Sequence, residues 1–172
     1  MKLTLETQRL ILRPMTVADA EYIFNTWTSD PRVTKYMFYS THKAIEETKS
    51  WLADVEKGQG HDLDFGFQLK ETGKLIGSGG AYFNEEKNTY SIGYNLAHDC
   101  WGKGYATEAM QAIVDYLVKE QGAKHFIAEH AVDNPASGRV MEKLGLKYYA
   151  DGSYTCFDGR VFQAKFYKMD LE

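Results

Sequence analysis

The chain has 172 residues, 44% apolar and 26% charged, with 24 acidic against 20 basic side chains and a formal net charge of −4. That length suits one domain, 1–172, with its own core, and the composition is that of an ordinary water-soluble globular protein. The acidic balance argues against nucleic acid as a main partner, no apolar run is long enough for a transmembrane helix, and residues 1–8 lack the apolar stretch of a signal peptide.

Arg9-Leu10-Ile11-Leu12-Arg13 reads as a first strand stopped by Pro14. Thr16 is placed as an N-cap with Asp19 as a partial capping box, and Ala20, Ile23, Phe24 and Trp27 line one face of a short helix. Asp30-Pro31 ends that helix. The aromatic run Tyr36-Met37-Phe38-Tyr39 has no period and is either core or the wall of a pocket. A second helix starts near Thr41, buries Ile45, Thr48, Leu52 and Val55, and closes at Gly58. Phe65, Phe67 and Leu69 mark a second strand, turned at Glu71-Thr72-Gly73-Lys74 into a third over 75–83. The polar turn 84–88 leads to a fourth strand over 89–96.

The stretch Trp101-Gly102-Lys103-Gly104-Tyr105-Ala106-Thr107 follows, and beyond it Ala106, Ala109, Met110, Ile113, Val114, Leu117 and Val118 take helical spacing up to Gly122. Two glycines therefore sit where a strand turns into a helix. Glycine permits dihedrals that a Cβ forbids, and the first helical N–H groups have no partner within the helix. Such a loop is either an anion cradle, most often for phosphate, or a tight connection without a ligand. It is not a dinucleotide fingerprint, since Thr107 stands where the third glycine belongs, nor a Walker loop, since Gly104 follows Lys103. A fifth strand over 124–132 comes after this helical crossover and should run parallel to the fourth. Asn134 and Pro135 open another helix, with Ala136, Val140, Met141 and Leu144 inside, and Gly145 ends it. Two strands, 146–154 and 160–169, close the chain around Asp158-Gly159. The fold class is α/β (α+β): a central mixed, mostly antiparallel sheet of about seven strands with helices on both faces. Cys100 and Cys156 form no Cys-x-x-Cys pair, which fits a reduced, cytoplasmic protein.

Gly102-x-Gly104-x-Ala106 after such a strand resembles motif A of the GNAT N-acetyltransferases, and Trp-Gly-x-Gly-Tyr-Ala-Thr-Glu-Ala is the form seen in the RimJ/RimL-like branch. Asn134-x-x-Ser137-x-x-Val140-Met141-Glu142-Lys143-Leu144-Gly145 is similar to motif B of the same family, and Gln8–Pro14 to its first strand. The resemblance implies a GNAT fold in which strands 4 and 5 hold acetyl-CoA. It implies cofactor contacts from Tyr94, Asn95, Leu96, Trp101, Gly102, Lys103, Gly104, Tyr105, Ala106 and Thr107, and from Asn134, Ser137, Arg139 and Met141. No metal is implied. The chemistry implied is acetyl transfer to a primary amine, a protein N-terminus or a small molecule, by direct attack in a ternary complex. Strand-edge homodimers occur among such folds and would suit this chain. The alternative is a non-catalytic acyl-CoA-binding protein of the same fold.

Two positions depart from the family pattern. Met141 stands where many members carry a Tyr that protonates the leaving thiolate, and Met has no proton to give. Ser137 is the substitute hydrogen-bond donor. Ser91 stands where the branch often carries Glu. A cationic amine must lose a proton before it attacks, so a base is required. Glu129 and His130, on opposite faces of the fifth strand, are candidates, with His98 and Glu85 behind them. Tyr36, Phe38 and Tyr39 fall where this fold covers the acceptor. His98-Asp99-Cys100 is too contiguous to converge as a cysteine hydrolase site, and His61-Asp62-x-Asp64 lacks metal-ligand spacing.

Overall fold

The computed structural model describes residues 2–58 and 60–172; Met1 and Gln59 lie outside the described residues. The strands are β1 (Leu5–Glu6), β2 (Leu10–Arg13), β3 (Leu63–Leu69), β4 (Leu75–Asn84), β5 (Thr89–Leu96), β6 (His125–Ala131), β7 (Lys147–Thr155) and β8 (Val161–Asp170). They form one sheet in the order β1-β2-β3-β4-β5-β6-β8-β7. The strand beyond the expected seven is β1, two residues paired with Leu12 and Ile11. Two residues cannot show an alternation, so periodicity does not reveal it.

Among the described residues every pairing is antiparallel except β5 with β6. That parallel pair is in register only at Tyr90↔Phe126 and Ser91↔Ile127. Beyond it β5 runs on to Leu96 and β6 to Ala131 without pairing to each other, so the sheet opens into a wedge.

The main core lies between one face of the sheet and the helices α4 (Tyr105–Gln121) and α5 (Pro135–Lys143). Ala106, Ala109, Met110, Ile113, Val114 and Leu117 are buried there as the spacing requires, whereas Val118 is exposed. Gly122 ends α4 in the left-handed region. The opposite face is covered by α1 (Ala20–Ile23), which continues through a wider turn over Phe24–Thr28, by α2 (Pro31–Thr34) and by α3 (Ile45–Lys57). Met15, Ile23, Trp27, Val33, Leu52 and Leu75 make this second core. Leu75 and Ile76 are neighbours in β4 yet belong to different cores, as strand alternation demands.

Two helix boundaries and one buried helix face differ from the sequence reading. Asp30-Pro31 ends α1 and also starts α2, because the Asp30 carboxylate accepts the Arg32 N–H at 2.9 Å with proline in the first turn. The helix α3 begins at Ile45 rather than near Thr41, where the Glu47 carboxylate takes up the backbone N–H groups of Lys43 and Ala44. In α5 the buried residues are Gly138 and Met141, and Ala136 is exposed.

Candidate active site

A cavity of about 580 Å3 runs through the wedge between β5 and β6. Its lining includes every cofactor candidate named from the sequence except Lys103, together with Glu129, His130, Tyr36 and Phe38. Tyr39, His98 and Glu85 lie outside the lining.

The rim is built by the loop after β5. Gly102 and Gly104 have φ of +75° and +81°, which only glycine adopts without cost. The first α4 N–H to find a helical acceptor is that of Glu108, on the Gly104 carbonyl at 3.0 Å. Tyr105, Ala106 and Thr107 precede it, so their N–H groups are left to the cavity they line. Trp101 ties the loop to the strand end, its indole N–H donating to the Leu96 carbonyl at 2.9 Å. From outside, the Arg9 guanidinium donates to Glu108 at 2.7 Å and to the Lys103 carbonyl at 3.0 Å, and lies 4.3 Å over the Tyr105 ring. Burial alone would raise the Glu108 pKa, but donors from Thr7 and Arg9 outweigh it and hold the carboxyl below its ordinary value. This donor set suits a pyrophosphate.

On the face toward α5, Tyr94 reaches Ser137. Its hydroxyl stands 2.8 Å from the Ser137 carbonyl, to which it donates, and 2.9 Å from Ser137 Oγ. Burial pushes the Tyr94 phenol well above its ordinary pKa, so it stays protonated and neutral. Met141 is buried beneath. Asn134 occupies the N-cap position of α5 without a side-chain cap bond, and its side chain is half-buried at the cavity. His130 is 5% exposed, and its Nδ1 donates to the Ala131 carbonyl at 2.7 Å. Its Nε2 lies 3.4 Å from the Tyr167 hydroxyl, and a Cβ at Gly138 would come within 2.6 Å of it. The ring is wedged between β8 and α5.

The opposite face carries Glu129. Strand pairing puts it beside Phe166, and next to the small cluster of Ala131, Tyr154, Cys156 and Ala164. Its carboxylate makes no hydrogen bond among the described residues, and burial raises its pKa. Asn95 also points this way: its amide donates to Ser78 Oγ at 2.8 Å and its oxygen accepts from the Tyr39 hydroxyl at 2.6 Å. The Asn95 side chain is thus committed to protein partners, and Tyr39 acts as a half-buried brace. Arg32, Asp133 and Tyr154 line the cavity without having been singled out from the sequence. For Tyr154 the signal was available, since it pairs with Phe162 across the hairpin and shares its face.

The Acetyltransferase (GNAT) domain family matches residues 9–147, and the chain belongs to that family of acetyl-CoA-dependent acetyltransferases. Among its relatives, the uncharacterized N-acetyltransferase p20 of Bacillus licheniformis is 31% identical over 147 residues, 84% of this chain and 82% of p20. The GNAT-family acetyltransferase from Bacillus anthracis superposes with a TM-score of 0.83 at 28% identity, covering 98% of both chains. The ribosomal-protein-S5-alanine acetyltransferase from Vibrio fischeri gives 0.83 at 19% identity, over 99% of this chain and 97% of that one, and so shares the fold. No helix among the described residues is long and apolar enough to cross a membrane.

Proposed function

We propose that the protein transfers the acetyl group of acetyl-CoA to a primary amine, on a protein N-terminus or a small molecule, by direct attack in a ternary complex. The observation that carries this reading is the cavity through the wedge, with the Ser137–Tyr94 pair on one face and the Glu129 carboxylate on the other. Acetyl-CoA supplies the acetyl group as a thioester. The cradle 102–107 would hold its pyrophosphate through backbone N–H groups, and Arg139 and Lys143 on α5 would add positive charge along the same cavity. Glu129 receives the proton of the incoming ammonium, for which its raised pKa suits it. As the N–C bond forms and the C–S bond breaks, Ser137 Oγ would turn its hydrogen from Tyr94 toward the departing sulfur as a hydrogen bond, the role for which Met141 has no proton, and the second proton shed by the new amide nitrogen would end on the CoA thiolate. His130 is less suited to be the base, because its ring is buried and its free nitrogen, Nε2, is wedged between the Tyr167 hydroxyl and Gly138 of α5.

The test is thiol release from acetyl-CoA with a panel of primary amines, alongside calorimetric titration of CoA. Turnover with an amine supports transfer. Tight CoA binding with no turnover across the panel would leave the acyl-CoA-binding alternative.

A further inference from the structure

Residues 35–39 are neither helix nor strand, yet each of their five carbonyls accepts a hydrogen bond from the β7–β8 hairpin. Arg160 Nη1 donates to the Lys35 carbonyl at 2.7 Å, and the Tyr154 hydroxyl to that of Tyr36 at 2.7 Å. The Met37 carbonyl takes Arg160 Nη2 at 3.2 Å and Cys156 Sγ at 3.3 Å. The Phe157 N–H donates to the Phe38 carbonyl at 2.9 Å, and Arg160 Nη2 to that of Tyr39 at 3.2 Å. Asp158 grips Arg160 Nε at 2.8 and 2.9 Å and so aims the fork. Surface loops normally leave such carbonyls to water. A loop with all of them tied to a hairpin more than a hundred residues away is a fixed wall, not a lid. The Tyr39–Asn95–Ser78 bonds pin its far end.

The wall is apolar. Phe38 packs 5.1 Å from Tyr154 and 6.0 Å from Phe157, ring centre to ring centre. Tyr36, Met37, Phe38 and Tyr154 line the cavity on the face of Glu129. Phe38, in the lining, is 39% exposed, and Phe157, packed against it outside the lining, is 86% exposed, so ring surface is left uncovered beside the cavity. The charges nearby favour a cation and disfavour a carboxylate. Glu129 and Asp133 are acidic and line the cavity, while Arg32 is engaged by Asp30 and Arg160 by Asp158; the other cations of the lining, Arg139 and Lys143, sit on α5, at the end read as the pyrophosphate site. Lys35 lies 5.2 Å over the Tyr36 ring.

We propose that residues 35–39 and the hairpin 154–160 form a preformed acceptor subsite for a primary amine carried on an apolar, ring-sized body without a carboxylate, with Arg160 as the positioning residue that shapes it. The proposal rests on the acetyl-transfer reading above and narrows its acceptor. With saturating acetyl-CoA, kcat/KM for 2-phenylethylamine should exceed that for spermidine, phenylalanine and a short peptide with a free N-terminal serine. The expected margin over spermidine and the serine peptide is about 10- to 100-fold, the fold-change that burying one aromatic ring allows, whereas the margin over phenylalanine reads the carboxylate alone. Arg160→Gln should raise KM for 2-phenylethylamine about tenfold or more, with the loss on the amine rather than on kcat or on KM for acetyl-CoA. Arg160→Lys should rescue poorly, since one ammonium cannot reproduce the planar fork. A merely structural Arg160 would weaken both substrates together. Phe157→Ala, at an exposed tip where folding is not at stake, should raise the same KM and stands in if Arg160→Gln does not fold. Should no amine turn over, the same amines are titrated calorimetrically into the CoA-saturated protein. Binding of 2-phenylethylamine above the others then upholds the subsite while the transfer reading fails. A preference for spermidine, phenylalanine or the peptide, in turnover or in binding, overturns the proposal, as does failure of all of them to bind.

Discussion

The two ends of the cavity are built in opposite ways. The end proposed for the cofactor centres on one contiguous stretch, 101–107, with backbone N–H groups at a helix start and two glycines with positive φ. The end proposed for the acceptor brings residues 35–39 against residues 154–160, with rings held by hydrogen bonds across more than a hundred residues of chain. A cradle made of backbone requires only a local conformation, so it tolerates side-chain changes except those that alter the backbone. A wall made of side chains can be reshaped by substitutions at its distant supports.

The largest effect expected sharpens the first half of that contrast. Gly104→Val should abolish detectable acetyl-CoA binding, because a β-branched residue cannot hold φ of +81° and the N–H groups beyond it would be re-aimed. The added Cβ would also meet Arg9 Nη2 at 3.5 Å, which is ordinary contact, so the damage comes from the dihedral and not from crowding. Calorimetric titration of CoA, with circular dichroism to establish folding, decides it; a folded Gly104→Val protein that binds like the parent breaks the cradle assignment.

Next comes the base. Glu129→Gln should lower kcat/KM for the amine by about 100-fold or more, the range typical of a positioned proton acceptor. It should also remove the rise of kcat/KM with pH that follows Glu129 ionisation, which burial places above the ordinary carboxylate range. Stability should move the other way. A folded pKa raised above the unfolded one means the native state binds more protons, so stability falls as pH rises from the unfolded value through the folded one. Near neutral pH the Gln variant should therefore melt higher than the parent. A lower melting temperature with an unchanged pH profile would make Glu129 a structural residue.

Ser137→Ala should reduce kcat by about 10- to 1,000-fold, by analogy with deleting one transition-state donor, with CoA affinity little changed. Unchanged kcat in single-turnover measurements, where chemistry is isolated, would assign the role elsewhere. The smallest effect expected is at Lys103. Its carbonyl braces Arg9 while its side chain is exposed and outside the lining, so Lys103→Ala should weaken CoA binding only a few-fold. A loss approaching that of Gly104→Val would mean that the cradle works by side-chain charge after all.

Much of the cofactor end was legible in the residues alone. Period-2 strands, the glycines at 102 and 104, and the Asn134-Pro135 helix start are local signals, because dihedral preferences and orphan N–H groups act within a few residues. The parallel placement of β5 and β6 followed from the helical crossover between them. Their parting after Ser91 and Ile127, which opens the cavity, did not, since no local pattern distinguishes a paired strand residue from an unpaired one.

At the acceptor end the sequence by itself determined the residue types: an aromatic run at 36–39, a Glu and a His in alternation at 129 and 130, and a turn at Asp158-Gly159. Only the tertiary structure decided what they do. Alternation states that Glu129 and His130 face apart, but not which side holds the rings; strand pairing put Glu129 with Phe166 and left His130 against Gly138. Likewise Arg160, which read as the start of a strand, became the support of three carbonyls of a loop 121 to 125 residues earlier. The physical reason is the same in each case. Backbone conformation is set by neighbours along the chain, whereas the partner of a side chain is set by whichever surface the packed sheet brings opposite it.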